Sequence, residues 1–424
     1  MVEAMGLTIK AVAERTGVSV HTLRAWERRY GVPSPRRGAE NRYRLYTEQD
    51  LADVLFMKEQ VAKGIAPAQA SVLLRQQQPH ALIASVAPSQ PIADMQIGLL
   101  EAFAQSNEAV ARHLLDQAFG LFAPEIIALQ IIAPTMYEIG RRWMSGEMTV
   151  WQEHLASNIV QEKLFAVLHA QPPLAPSAPE IVVACAPQEE HQLGLIIFAL
   201  IARRQGWRIA YLGQSTPLAD IIGLAHTVKP KAITISITTV RGLAGVMRWL
   251  NAAERPSTPI VFGGRLPNVL PDLRTHLPGN YLGDDVLTVV QNLKALKPWP
   301  EYWSPSKKVW NLANVLQTRR LEIAGITATE FMAHAPAQRH WDLTSINDST
   351  LFLLDALACA LAFNVPALID HEREWLAEVM PPRAVKPELI LKYLDVFKMI
   401  LKKHLTVDQR RLIDPLIERM QIHT

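Results

Sequence analysis

The sequence predicts a multidomain α and α/β protein. It reads as a winged helix-turn-helix head, a four-helix-type bundle, a Rossmann-like doubly wound domain and an all-helical C-terminal domain. Three observations predict this. The 424 residues suffice for about two to four domains, each with its own core. Proline-rich seams at 87–91, 171–179 and 296–310 divide the chain. Between the seams the apolar period changes from helical to strand-like and back. The expected domains are 1–78, 92–170, 180–295 and 311–424.

Composition narrows the class. Apolar residues make up 49% and charged residues 20%, with a net charge of +3, which fits globular domains and excludes a general polycation. Basic charge is concentrated at residues 10–46, which hold nine Lys/Arg against three Glu. Only two cysteines occur, Cys185 and Cys359, against a disulfide scaffold and in keeping with a reducing cytoplasm. No run of 18 consecutive apolar residues and no signal-peptide pattern is present, so a cytoplasmic protein with no membrane partner is expected.

The head is justified from its caps and turns. Thr8 can cap a helix that buries Val12 and Ala13, Gly17 allows a tight turn, and Ser19 can cap a second helix. That second helix buries Leu23 and Trp26 and presents His21, Thr22, Arg24 and Arg28 to a major groove. Arg42, Tyr43 and Arg44 on a following β-ribbon would grip phosphate and sugar. The run Arg24-Ala25-Trp26-Glu27-Arg28-Arg29-Tyr30-Gly31, followed by Asn41-Arg42-Tyr43-Arg44 and Tyr46, resembles the DNA-binding domain of the MerR family. The resemblance implies a double-stranded DNA operator as partner. A solvated basic helix face is the bland alternative.

Residues 92–170 repeat apolar side chains at helical spacing and predict the bundle. Residues 180–295 alternate short β-branched runs, at about 181–186, 208–212, 232–237, 259–263 and 280–282, with helical patterns, the signature of buried parallel strands. His191 follows the first run in Glu189-Glu190-His191-Gln192-Leu193-Gly194. Imidazole is a borderline nitrogen donor suited to a transition metal. Glu189 could take its other N–H and set the tautomer. Gly194 would let the next helix start close to a large planar ring. Ser236 and Thr238 end a later strand, and Gly263-Gly264 leave space at the next strand end. The pattern resembles the cobalamin-binding fold of methionine synthase and corrinoid mutases, which implies His191 as the lower axial ligand of cobalt. That family usually carries Asp at the position of Glu189 and Leu at that of Thr238.

Trp143, nine residues, then Glu153-His154, with Val150 between, span two to three helical turns interrupted at Ser145-Gly146. This spacing resembles the bundle of CarH-type light-sensing repressors, which pair a MerR head with a cobalamin domain. The resemblance covers residues 5–295. It implies adenosylcobalamin as cofactor, with Trp143 and Val150 around the adenosyl group and Glu153 accepting from ribose hydroxyls. It further implies a homo-oligomer, dimer or tetramer, whose DNA binding changes when light cuts the cobalt–carbon bond. One departure stands out: Met144 follows Trp143, where the family often has a His that captures cobalt after photolysis. His154 or water is then left for that site.

Residues 311–424 exceed a minimal CarH-type chain. Helical patterns occur at 311–335, 347–363, 366–379, 387–404 and near 406–420. The plain reading is an oligomerisation or stability module. A weaker likeness to the globin-like tails of photocobilins implies a bilin such as biliverdin, with His334, His340, His371 and Cys359 as candidate groups. The function expected is therefore a cobalamin-dependent transcriptional regulator, a repressor that senses light, and not an enzyme. The alternatives are a sensor of cofactor level and a corrinoid-carrying methyltransferase or mutase component. The DNA-binding head and the absence of a barrel-sized domain argue against the last.

Overall fold

The computed structural model describes residues 7–30, 32–33, 36–37, 44–46, 48–63, 67, 70, 90–252, 256–296, 304–334, 342–379 and 387–421. They belong to two compact units, Met1–Ala87 and Pro88–Thr424.

In the first unit the caps anticipated from the sequence are present. Thr8 Oγ1 accepts from the Ala11 N–H and starts helix Ile9–Thr16. Gly17, at φ 68°, ends it in the left-handed region, where glycine carries no Cβ penalty. The Thr22 N–H donates to Ser19 Oγ at 3.1 Å at the start of helix Val20–Tyr30. Strands β1 (Arg36–Arg37) and β2 (Arg44–Leu45) pair antiparallel, and helix Glu48–Ala62 follows. Val12, Leu23, Trp26, Tyr46, Val54 and Met57 form the core. Lys58 Nζ donates to the Thr16 carbonyl at 2.8 Å, placing a cation at a helix C-terminus, where the dipole favours it.

The second unit opens with the bundle. Its helices are Gln90–Ala104, Glu108–Leu121, a long helix over 124–144, and Val150–His169. The long helix contains a π turn, Ile127–Ile132. Leu99, Phe103, Leu115, Ile131, Ile139, Ile159 and Leu164 fill the interior.

The α/β part holds β3 (Glu180–Cys185), β4 (Arg208–Gly213), β5 (Ala232–Ser236) and β6 (Ile260–Gly263), parallel in the order β4-β3-β5-β6. The order reverses between β3 and β5, and in such sheets ligands bind outside the carboxyl ends of the strands at that point. The run at 280–282 is not a fifth strand. Asn280 makes one isolated parallel bridge to Val261. The chain is pinned there by Phe262 N–H to the Asn280 carbonyl and Asn280 N–H to the Ile260 carbonyl, and Gly279 and Gly283 border a segment too short to extend the ladder.

At Gly264, φ is 103° and a Cβ would lie 2.5 Å from the Ile237 carbonyl oxygen. Gly264→Ala is therefore expected to lower stability by about 3 kcal/mol, read as a fall in Tm, with Gly263→Ala as the tolerated control because its Cβ would meet no protein atom within 4 Å.

The C-terminal helices are Lys307–Thr318, Arg320–His334, Leu343–Ala362, Ala367–Val379, Pro387–Lys403 and Val407–Arg419. The pattern at 311–335 resolves into two helices. The break at Arg319 lets its guanidinium reach the His404 carbonyl at 3.2 Å and both oxygens of Glu322. These helices share one continuous apolar core with the sheet, running from Val182, Ile233 and Leu243 to Leu312, Leu354, Phe397 and Leu416. Leu343–Ala362 is the one helix among the described residues long and apolar enough to cross a membrane, and 67% of its apolar window is buried inside this core.

Candidate functional site

The loop after β3 is built around a buried carboxylate. Glu189 is 0% exposed, and both of its oxygens are used. Oε1 accepts from the His191 backbone N–H at 3.0 Å and lies 2.7 Å from His191 Nδ1. Oε2 accepts from the Thr238 N–H at 2.9 Å, the Thr239 N–H at 2.7 Å and Thr239 Oγ1 at 2.8 Å. Burial works to raise the carboxyl pKa, but the bonds from His191 and Thr239 outweigh it and hold the group below its ordinary value. An ionised carboxylate can only accept, so Nδ1 must carry the proton. In neutral imidazole the lone pair is then on Nε2.

His191 is raised above its ordinary pKa, first by the Glu189 bond, against burial, and then by the charges of Glu189, Glu153 and Glu190. Its side chain is 65% exposed, and no described group bonds Nε2. The ring is thus fixed on one side and open on the other, a shape that would suit one bond to a metal. Among the described residues no cluster of three or more His, Cys, Asp or Glu could hold a metal by itself.

The surroundings leave room. A Cβ at Gly194, in the first turn of helix Leu193–Arg204, or at Gly263 would meet no protein atom within 4 Å. Ser236 is buried at the end of β5, and its carbonyl accepts from the Ala186 N–H at 2.9 Å. The Thr238 backbone N–H is committed to Glu189 and is not available to a ligand.

The bundle borders this site. Gln192 Nε2 donates to Gln161 Oε1 of helix Val150–His169 at 2.8 Å, and Tyr211 Oη donates to Gln192 Oε1 at 3.1 Å. Phe165 meets Tyr211 edge-on. The four bundle residues singled out in the sequence do not share one helix. Trp143 is in the last turn of the long helix, which ends at Met144, and the chain turns through Ser145 and Gly146. Val150, Glu153 and His154 lie in the first two turns of the next helix, behind a Thr149/Gln152 capping box. Trp143 is half-buried and Val150 is 50% exposed. Glu153 binds His154 Nδ1 at 2.7 Å and Ser157 Oγ at 2.6 Å.

Sequence reasoning missed three contributors. Thr239 supplies two of the five bonds to Glu189. Gly242 and Gly245 let helix Val240–Ala252 press on the loop: their Cβ atoms would lie 2.9 Å from Glu189 Oε2 and 2.3 Å from the Pro187 carbonyl oxygen. The available signal was two glycines three residues apart, one helical turn, directly after a Thr-Thr strand end.

In the head, His21 and Arg24 are exposed and Thr22 is half-buried on helix Val20–Tyr30. Arg28 lies on that helix and Arg44 in β2. Arg42 and Tyr43 lie outside the described residues. On the expectation that this helix faces DNA, Arg24→Ala should weaken DNA binding. The slope of log affinity against log salt should become shallower by about one, as read by fluorescence anisotropy; an unchanged slope with unchanged affinity removes Arg24 from the interface.

Of the tail's four candidates, His334, Cys359 and His371 lie among the described residues, and no metal-holding cluster of His, Cys, Asp or Glu includes them there. His334 Nδ1 lies 2.9 Å from the Glu330 carbonyl of its own helix. Cys359 is fully buried, and burial pushes its thiol pKa well up. Burial lowers that of His371, and His340 lies outside the described residues. A small apolar cavity lined by Leu353, Ile369, Glu372, Leu376, Leu394 and Met420 includes none of them.

Family models match three stretches of the chain. The family model for the MerR HTH family regulatory protein matches residues 7–77, and two models described as B12 binding domain match 97–168 and 179–289. The HTH-type transcriptional repressor CarH of Myxococcus xanthus is 35% identical over 240 residues, 55% of this chain and 79% of that protein. The HTH-type transcriptional repressor CarA of the same organism is 31% identical over 267 residues, 61% of this chain and 87% of that protein. Among solved structures, the monomethylamine corrinoid protein of Methanosarcina barkeri aligns with 48% of this chain and 99% of its own, at 16% identity and a TM-score of 0.41. The chain joins a MerR-type head to B12-binding domains and belongs to the family of the HTH-type transcriptional repressors CarH and CarA.

Proposed function

We propose that this chain is a cytoplasmic, light-responsive repressor that binds adenosylcobalamin between the bundle and the α/β domain, and operator DNA through its head, as a homo-oligomer. One observation carries the reading. His191 is held by a buried carboxylate at Nδ1, is open at Nε2, and feels the charge of Glu153 on the bundle. Bound there, adenosylcobalamin supplies a cobalt–carbon bond that light can break. The chain's own residues do the rest. Glu189 keeps the imidazole in the tautomer that can bind a metal, Gly194 and Gly263 leave space beside it, and Ser236 and Thr238 border that space. Gly264 keeps the β6 end against Ile237. Trp143, Val150, Glu153 and His154 line the bundle side. Two elements held across one ligand respond when that ligand changes, because differential binding shifts their equilibrium.

The test is an absorbance spectrum of the purified protein with adenosylcobalamin, in the dark and after green light, with an operator gel shift in parallel. A dark spectrum that converts on illumination together with the DNA affinity supports the reading. Cofactor that binds but leaves DNA affinity independent of light indicates a sensor of cofactor level. His191→Ala is expected to weaken cobalamin binding at least as much as the roughly 10–100-fold that loss of an outer-shell partner costs; undiminished binding removes His191 from the site. The tail is assigned a structural role, since its helices share one apolar core with the sheet and the described candidates His334, His371 and Cys359 do not line the cavity there.

A further inference from the structure

A chain of polar contacts runs from the His191 loop into the C-terminal helices. Gln188, three residues before His191, accepts at Oε1 from Arg248 Nη2 at 2.6 Å. Arg248 Nη1 donates to Gln317 Oε1 at 2.5 Å and lies 3.8 Å from Asp355 Oδ1. Gln317 Nε2 donates to Asp355 Oδ1 at 2.7 Å. Arg320 Nη1 sits 3.3 Å and 3.4 Å from the two Asp355 oxygens. The Asp355 side chain is 2% exposed, so two cations and one amide satisfy a carboxylate that water hardly reaches. Removing one partner in such a network disturbs the others.

The loop end of this chain is itself constrained. Gln188 is held at φ 65°, a left-handed conformation unusual for a non-glycine residue. Its N–H donates to Ser215 Oγ at 3.0 Å, and the Ser215 N–H donates to the Glu189 carbonyl at 3.0 Å. The helix that carries Arg248 touches the loop through Gly242 and Gly245 with no room to spare. The same helix packs against Leu343–Ala362, which carries Asp355.

We propose that Arg248 is a positioning residue for the His191 loop, and that the C-terminal helices tune metal ligation at His191 through Asp355, Gln317, Arg248 and Gln188. The proposal rests on the reading of His191 as the axial ligand. A loop kept at positive φ at Gln188 holds Glu189 and His191 in register with Thr238 and Thr239. Without the Arg248 bond, that conformation loses its outward anchor, and the imidazole samples orientations in which Nε2 meets cobalt poorly.

The test uses the full-length protein titrated with adenosylcobalamin and, separately, hydroxocobalamin. It reads the affinity and the spectral signature of imidazole ligation. Gln188→Ala and Asp355→Asn are each expected to weaken binding by about threefold to tenfold and to reduce the imidazole-ligated fraction. The double variant should be no weaker than the worse single one, since both cut one chain. Gln188→Glu keeps an acceptor for Arg248 and should restore wild-type binding. If Asp355→Asn does not fold, Gln317→Ala takes its place, because it leaves the Asp355–Arg320 pair intact. His191→Ala is the control for the underlying reading. If it leaves the spectrum unchanged, the ligand assignment fails and the proposal with it. If it abolishes the signature while Gln188→Ala and Asp355→Asn bind as wild type, the relay alone is overturned. Effects that multiply in the double variant also overturn it, since they mark two independent local disturbances.

Discussion

Glu189→Gln is expected to cost about 3 kcal/mol of stability and about 10–100-fold in cobalamin affinity. The carboxylate accepts five hydrogen bonds in a fully buried position. An amide can turn either way, and neither suits the site. With its NH2 toward Thr238 and Thr239, it faces two backbone donors. With its NH2 toward His191, it faces the backbone N–H and drives Nδ1 to become an acceptor, which moves the ring proton to Nε2 and blocks the metal lone pair. A thermal melt and a cobalamin titration read the two losses separately. The stability loss carries a pH signature. The Glu189 pKa is lowered in the folded chain, so its contribution is present above the ordinary carboxylate range and disappears as pH falls through the lowered value. The melting difference between wild type and Glu189→Gln should therefore be full at pH 7 and shrink toward strong acid. A difference that stays constant down that range would mean the bonds depend on shape and not on charge.

Deleting residues 304–424 is expected to be more damaging still. The tail and the sheet share one apolar core, and each large side chain returned to water costs about 1.5–3 kcal/mol. Arg248 would also lose Gln317 and Asp355. The shortened chain should melt at least about 10 °C below the full chain or accumulate as aggregate. Differential scanning calorimetry of the two proteins decides this; coincident melting of the cobalamin-binding part would show that the tail is an appendage.

The head and the strand–loop–helix signals were legible because they are local. Thr8, Gly17 and Ser19 act within four residues, and Glu189 reaches His191 across two. The four strands of the sheet followed from short β-branched runs. The 280–282 run misled because a short stretch such as Asn280-Tyr281-Leu282 does not by itself distinguish a strand from a pinned extended segment. The 311–335 pattern hid its break at Arg319 because the residue it reaches, His404, is 85 positions away. The polar chain through Arg248 was illegible for the same reason. Its partners lie 60 and 69 residues off, and nothing in a Gln or Arg on a helix announces which distant residue it will meet. The Trp143 grouping was read as one interrupted helix; the intervening turn is complete, and Thr149 starts a new helix with its own cap.

The π turn at Ile127–Ile132 bears on that last point. A π turn holds one residue more than the α turn it replaces, and one residue is about 100° of rotation. Everything downstream on the long helix, Trp143 included, therefore takes its azimuth from a single surplus residue sixteen or fewer positions upstream. For this bundle, the identity of the residue at 143 and the direction in which it looks are separate variables: substitution acts on the first, and chain length within 127–132 acts on the second.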